Sequence, residues 1–233
     1  MVVMDWEAFA ERMATMARDL LAQVSVEATL ERISECAVDI VDGCDAAGIL
    51  ILHGKRVESL APTDSLVVRS DRLQERLSEG PCFDAARRLS GERVFRIRDF
   101  TQPEERWPAF VSQARDLGIG SMMGFLLYTE QEDLGALNLY SARPAAFTKG
   151  SETAGWLLAS HGAVAFSSAR TADQLQQAIE TRHTIGEAMG ILMERLKITE
   201  DDAFALMRRV SQERNVKLRD LARQICESGG IDG

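Results

Sequence analysis

The proline-free stretch from Gly150 to Leu196 most constrains how this 233-residue chain can fold. Helix formers dominate it, so the sequence predicts one unusually long helix. Gly155 and Gly162 are weak points near its start, each costing about 1 kcal/mol relative to alanine.

Within this predicted helix, residues recur at spacings of four and three, close to the rhythm of a coiled coil. We call the resulting line the seam: it comprises Ser168, Ala172, Leu175, Ile179, Arg182, Gly186, Met189, Met193 and Leu196. The same spacing fits an ordinary helix buried against its own chain. Because a helix this long has few neighbours available, we expect a homodimer through residues 168–196.

The residues before this helix predict an α+β domain. A helical segment from Asp5 to Val41 is followed by short apolar runs typical of strands, and SMMGFLLYTE and LGALNLYSA, joined by a polar turn, form the clearest hairpin. Further helices are predicted before Leu77 and between Pro103 and Leu117. We therefore expect an antiparallel sheet with packed helices in residues 1–168.

The residues after the long helix predict a small bundle within 169–233. Thr199 and Asp202 have the spacing of a capping box and open one helix. Asn215 is expected to be the N-cap of the last helix, with Lys217 and Arg219 in its first turn. With the end of the long helix, these segments make a three-helix bundle.

Composition and charge exclude several classes of protein. The net charge of -9 argues against a protein that coats nucleic acid over its whole surface. No apolar run approaches the ~20 residues of a membrane span, and the acidic start does not resemble a signal peptide, so we expect a cytoplasmic protein without membrane contact. No catalytic triad, phosphate-binding loop, CxxC pair or metal-ligand cluster is evident. We therefore predict neither an enzyme nor a cofactor or metal site.

A local basic region contrasts with the acidic chain. Between Arg208 and Arg223 the sequence has six basic residues against only Glu213 and Asp220, a local balance of 6 - 2 = +4. A solvated bundle surface would also look like this. The alternative is a small patch that contacts phosphates and is doubled by dimerisation.

The segment from Glu180 to Cys226 resembles an ANTAR domain, the RNA-binding output module of bacterial transcription antiterminators. The matching residues include Arg182, the run Gly190-Ile191-Leu192-Met193, Ala203-Phe204, Ser211 and the run from Asn215 to Ala222. One departure is Glu187-Ala188-Met189-Gly190, where many members have Gln-Ala-Lys-Gly. The resemblance implies RNA hairpins as partners.

Residues from about 20 to 168 resemble a GAF domain, a sensory module often joined to ANTAR. LSEGPCFDA (77–85), ERWPAF (105–110), LGIGSM (117–122) and LGALNLYS (134–141) carry the resemblance. It implies a GAF-like fold and an unknown small-molecule ligand between the sheet and its helices. The candidate lining residues, which could equally be plain core, are Cys82, Phe83, Trp107, Phe110, Met122 and Phe125.

Together these patterns predict a GAF–ANTAR regulator that prevents transcription termination. The main RNA contacts are expected at Arg208, Arg209, Arg214, Asn215, Lys217 and Arg219, with Arg182 and Arg195 secondary. The bundle has few aromatic residues, with Phe204 expected at or near the core, so stacking should contribute little.

Two alternatives stay open. In one, the helical tail of a small-molecule-binding module only dimerises or docks a protein partner. In the other, the protein is a haem or redox sensor that uses Cys44, Cys82, His53 or His161.

Overall fold

A computed structural model describes residues 6–54, 56–81, 84 and 92–231. The helices and strands are, in chain order, α1 (Trp6–Leu21), α2 (Val26–Ile40), β1 (Ala46–His53), β2 (Arg56–Leu60), α3 (Ser65–Leu77), β3 (Val94–Ile97), α4 (Pro108–Asp116), β4 (Ser121–Tyr128), β5 (Asp133–Ser141), α5 (Lys149–Leu196), α6 (Glu200–Glu213) and α7 (Leu218–Ser228). The α+β class, the long helix and the C-terminal helices predicted from the sequence are confirmed.

Five antiparallel strands form one sheet in the order β2-β1-β5-β4-β3. The predicted hairpin is β4–β5, in which Ser121 pairs with Ser141 and the register shifts between Leu127 and Tyr128. Because successive side chains of a strand point to opposite faces, the sheet has two apolar faces to cover.

Helices cover both faces of this sheet. On one face α1, α2 and the first part of α5 form a core that contains Ile33, Phe125 and Leu158. On the other face α3 and α4 form a second core around Phe110 and Tyr140.

The expectation of one helix from Asp5 to Val41 is wrong, because the chain breaks after Leu21. Ser25 has extended backbone and its hydroxyl accepts a hydrogen bond from the Ala28 amide, so it caps a separate second helix. Val24, which fits the helical period in the sequence, lies in this connection and is 98% exposed.

The chain divides into two compact units, residues 1–170 and 171–233, and α5 continues from one into the other. The second unit is built from the C-terminal part of α5 with α6 and α7. Its apolar core contains Leu192 of α5, Met207 of α6, and Leu221 and Ile225, which lie one turn apart on α7.

Candidate nucleic-acid interface

The turn between α6 and α7 is held by its backbone. The Val216 amide donates to the Ser211 carbonyl at 3.0 Å and the Asn215 amide to the Gln212 carbonyl at 3.2 Å, which is a Schellman motif. The Ser211 hydroxyl also donates to the Val216 carbonyl at 2.7 Å. These bonds end α6 and fix the direction in which α7 begins.

Asn215 is not the N-cap of α7, contrary to the prediction. Its φ of +51° places it in the left-handed region, at the position after the α6 C-cap Arg214. Asparagine tolerates this backbone better than most residues with a Cβ, so its local role is to end α6.

The N-cap of α7 is Lys217, one residue before the first turn in which it was expected. Its side chain makes no capping hydrogen bond, since an ammonium group has no acceptor. The backbone amides of Leu218 and Arg219, in the first turn of α7, therefore have no acceptor on the side chain of the N-cap residue. A helix N-terminus of this kind favours an anion, and two basic side chains flank it here.

Arg219 also lines a polar groove between α5 and α7. The groove has a volume of about 300 Å³ and is lined by Gln177, Glu180, Thr181, Thr184, Arg219, Asp220 and Arg223. Arg219 lies 3.6 Å from Asp220, and both side chains are half exposed. The groove thus combines two guanidinium groups and the carboxylates of Glu180 and Asp220 with hydroxyl and amide groups.

Arg223 and the polar residues on α5 were not among the predicted contact residues. Arg223 follows Arg219 by four residues, which places both on one face of α7. That spacing was available in the sequence. The facing Gln177, Thr181 and Thr184 depend on how α5 packs against α7, which the sequence pattern does not give.

The remaining predicted basic residues are spread over the second unit. Arg208 and Arg209 are exposed on α6, and Arg209 lies 4.0 Å from Glu213. Arg214 donates to the Ile231 carbonyl at 3.1 Å. These three residues lie on or directly after α6, whereas Lys217 and Arg219 begin α7.

The two secondary candidates lie away from the α7 N-terminus. Arg195 packs over Gly229 and Gly230, at the opposite end of a helix that is about 16 Å long. Arg182 is exposed, and the helical period places it on the side of α5 opposite to Thr184 and the groove.

Phe204 is 38% exposed, in contrast to its expected position at or near the core. It precedes Arg208 by four residues on α6, so the two side chains lie on one helix face. An exposed ring beside a guanidinium group is a surface on which an unpaired base can stack.

The ligand-pocket candidates of the first unit do not share one face of the sheet. Trp107, Phe110 and Met122 are buried in the core beneath α3 and α4, whereas Phe125 is buried in the opposite core, against Gly155 of α5. Cys82 and Phe83 lie outside the described residues.

The groups named for a redox or haem sensor are held in different environments. Burial raises the pKa of the Cys44 thiol to about 12, which keeps it protonated near neutral pH and disfavours thiolate chemistry. His53 lies 2.9 Å from Glu58 on the neighbouring strand, and His161 is exposed on α5. In the described part of the chain no three metal-ligating side chains converge.

None of the described helices is both long and apolar enough to cross a bilayer.

Comparison with known proteins divides the chain at the same long helix. A family model described as a GAF domain matches residues 23–167, and one described as an ANTAR domain matches residues 173–225. No curated protein matches the chain significantly.

Solved structures similar to the chain include GAF domains. The GAF domain of a Coxiella burnetii phosphoenolpyruvate-protein phosphotransferase has 16% identity and a TM-score of 0.56, covering 73% of this chain and 99% of that one. The corresponding Acinetobacter domain has 14% identity and a TM-score of 0.54, covering 72% and 98%. The Stigmatella aurantiaca phytochrome photosensory core module has 10% identity and a TM-score of 0.62, covering 89% of this chain and 45% of that one. At these identities the likeness concerns the fold alone.

Proposed function

Because the chain belongs to the regulators in which a GAF sensory domain is followed by an ANTAR RNA-binding domain, we propose that it is a bacterial transcription antiterminator. It binds RNA stem-loops in nascent transcripts and stabilises them over a competing terminator. This role places it in the cytoplasm and assigns it no catalytic activity. The signal is a small molecule that the GAF domain binds.

The observation that carries this proposal is the basic start of α7. Lys217 and Arg219 flank backbone amides that no side chain caps, and Arg223 extends the positive charge along the same helix. The segment from Arg208 to Arg223 has a net charge of +4, whereas the whole chain has a net charge of -9. Phosphates of an RNA backbone can accept hydrogen bonds from both the guanidinium groups and these backbone amides.

Contacts to bases require a different surface from contacts to phosphates. Sequence-specific RNA recognition uses unpaired bases in loops, which stack on aromatic rings and bond to polar side chains. Phe204 beside Arg208 supports stacking, and the groove residues Gln177 and Thr181 support hydrogen bonding. The proposed surface therefore extends from α6 across the start of α7 to the groove.

Dimerisation doubles this surface and suits a pair of stem-loops. In the seam, Leu175 is 62% and Ile179 is 55% exposed, which leaves two large apolar side chains in water on a single chain. A parallel pair of α5 helices would cover these residues.

The proposal is tested by RNA binding of the full chain at two salt concentrations. The probe is a pool of RNA stem-loops with randomised loops, enriched on the wild-type protein. The Lys217→Ala, Arg219→Ala double variant should bind every selected RNA more weakly. It should also weaken the salt dependence, reducing the magnitude of the negative slope of log affinity against log salt by about one to two.

A matched control removes two arginines from the other unit. Arg69 and Arg72 are exposed on α3, so the Arg69→Ala, Arg72→Ala variant has the same net charge as the test variant and should bind as the wild type does. Unchanged affinity in a folded Lys217, Arg219 variant would place the RNA on another face. A wild-type protein that binds no structured RNA would favour a tail that only dimerises or docks a protein.

A further inference from the structure

Helix α3 packs three polar side chains against the sheet beside the apolar Val67 and Leu73. Ser70, Asp71 and Gln74 are all fully buried on α3, next to Val67. Buried carboxylates are rare unless a cation pairs with them. Asp71 is therefore an unusual component of a core that otherwise contains Phe110, Met122 and similar residues.

The contacts of Asp71 are hydrogen bonds from neutral groups. Its Oδ2 accepts from the Ser59 hydroxyl of β2 at 2.7 Å, and its Oδ1 lies 3.4 Å from the Tyr140 hydroxyl of β5. The side-chain amide of Asn138, also on β5, acts on the same carboxyl group and lowers its pKa. Asp71 thus links α3 to two strands of the sheet.

No described cation forms an ion pair with Asp71. On β5, the titratable group that faces Asp71 is Tyr140. On β2, Arg56 and Glu58 alternate with Ser59, so their side chains point to the other face of the sheet. Leu50 of β1 and Phe110 of α4 belong to the same apolar cluster. On α3 itself, Glu75 accepts from the Val57 amide at 2.9 Å, and Arg72 is exposed.

This environment stabilises the neutral acid relative to the carboxylate more than water does. Burial raises the pKa of Asp71 to about 7, against the opposing effect of the neutral polar groups of Ser59, Tyr140 and Asn138. Near neutral pH the group therefore exists in both protonation states.

We propose that the sensory domain responds to pH at Asp71, whose deprotonation places a charge that no described cation pairs with between α3 and strands β2 and β5 and weakens the packing of α3. This regulation goes beyond RNA binding and does not depend on it. Protonation restores a neutral, hydrogen-bonded contact between the helix and the sheet.

The direction of the pH dependence follows from linkage. The pKa of Asp71 is higher in the folded chain than in the unfolded chain, so the folded state binds its proton more tightly. The resulting stability is full below about pH 4 and is lost progressively as pH rises to about 7. Between about pH 6 and about pH 8, this one group should raise the ratio of unfolded to folded molecules about tenfold.

The experiment compares denaturant unfolding of the full-length wild type and Asp71→Asn across this pH range. Tryptophan fluorescence reports on the first unit alone, because Trp6, Trp107 and Trp156 all lie within residues 1–170. Asparagine is a neutral side chain of the same shape, so Asp71→Asn should lack the tenfold change that the wild type shows.

Glu75→Gln is the matched control, because it removes one negative charge from the same helix and keeps an acceptor for Val57. It should retain the wild-type pH dependence. Equal pH dependence in the wild type and Asp71→Asn, or its loss in Glu75→Gln alone, would overturn the proposal.

A second measurement covers the case in which Asp71→Asn does not fold. Wild-type protein labelled with ¹³C at aspartate carboxyl carbons is titrated by NMR. One aspartate resonance with a midpoint near 7 is expected, and its absence, with every aspartate titrating near 4 as ordinary aspartates do, overturns the proposal.

Discussion

At the scale of single residues, Asn215 shows how one residue type fits two opposite roles. Asparagine is common both as an N-cap and in the left-handed position that ends a helix, and two helices meet at this turn. The sequence therefore predicted a cap for α7, whereas the structure uses Asn215 to end α6. The choice depends on a backbone dihedral angle, which no pattern of side chains records.

Substitutions at Asn215 should separate its backbone role from any contact with RNA. Asn215→Ala should lower the free energy of unfolding of the second unit by about 1 kcal/mol, because alanine is strained at positive φ. Asn215→Gly should be neutral or slightly stabilising, because glycine adopts this backbone freely. Circular dichroism during urea denaturation measures both effects.

The same pair of variants tests the role of the Asn215 side chain in binding. If the residue acts only through the backbone, Asn215→Gly binds RNA as the wild type does. Weaker binding by a stable glycine variant would instead assign the side-chain amide to the RNA contact surface.

The pocket candidates show what alternation in a strand could and could not predict. Met122 and Phe125 are three residues apart on β4, so they must point to opposite faces of the sheet. That separation was predictable from the hairpin alone. The burial of the polar Asp71 face of α3 was not, because a helix with Ser70, Asp71 and Gln74 on one side resembles a solvent-exposed helix in sequence.

At the scale of elements, strands and helices with strong periodicity were predictable, and their ends were less so. The β4–β5 hairpin and the long α5 helix follow from alternation and from the absence of proline. The break between α1 and α2 did not, because Val24 fits the helical period on both sides of it. The Ser25 cap decides that break, and serine occurs within helices as well as at their ends.

Helix α5 predicts opposite outcomes for two glycine-to-alanine substitutions. A Cβ at Gly155 would lie 2.5 Å from the Phe125 ring, whereas a Cβ at Gly190 would have no neighbour within 4 Å. Gly155→Ala should destabilise the first unit by about 1–3 kcal/mol through overpacking. Gly190→Ala should stabilise the second unit by up to about 1 kcal/mol through helix propensity.

Thermal denaturation followed by tryptophan fluorescence and by circular dichroism distinguishes the two units. The sequence alone suggested that Gly155 weakens α5, since glycine disfavours helices. If Gly155→Ala were stabilising, the contact between α5 and Phe125 would not be as close as the structure has it.

At the scale of the whole molecule, the two-part organisation was predictable because the patterns of the two parts differ. Residues 23–167 match a GAF domain and residues 173–225 an ANTAR domain, in the order that the motifs indicated. The seam was less uniform than its spacing suggested. Met189 and Met193 are half-buried against the bundle core of their own chain, whereas Leu175 and Ile179 earlier in the seam and Leu196 at its end are exposed.

The exposed part of the seam leads to a prediction about assembly. Lysine at both Leu175 and Ile179 should convert a dimer to a monomer, because two charges would be buried at a helix–helix contact. Sedimentation at tens of micromolar measures the change. Gln174→Lys, Gln177→Lys adds the same charge at exposed positions away from the seam and should stay dimeric.

Dimerisation should in turn set how strongly the protein holds two linked stem-loops. A dimer that engages both gains effective concentration for the second contact, so its affinity for a two-hairpin RNA exceeds that for one hairpin, by up to about 10²–10⁴-fold. The Leu175→Lys, Ile179→Lys variant should keep its affinity for a single hairpin and lose this gain, as fluorescence anisotropy with both RNAs would measure. A wild-type protein that sediments as a monomer, or a monomeric variant that still favours the two-hairpin RNA, would show that α5 is not the element that pairs the two RNA-binding surfaces.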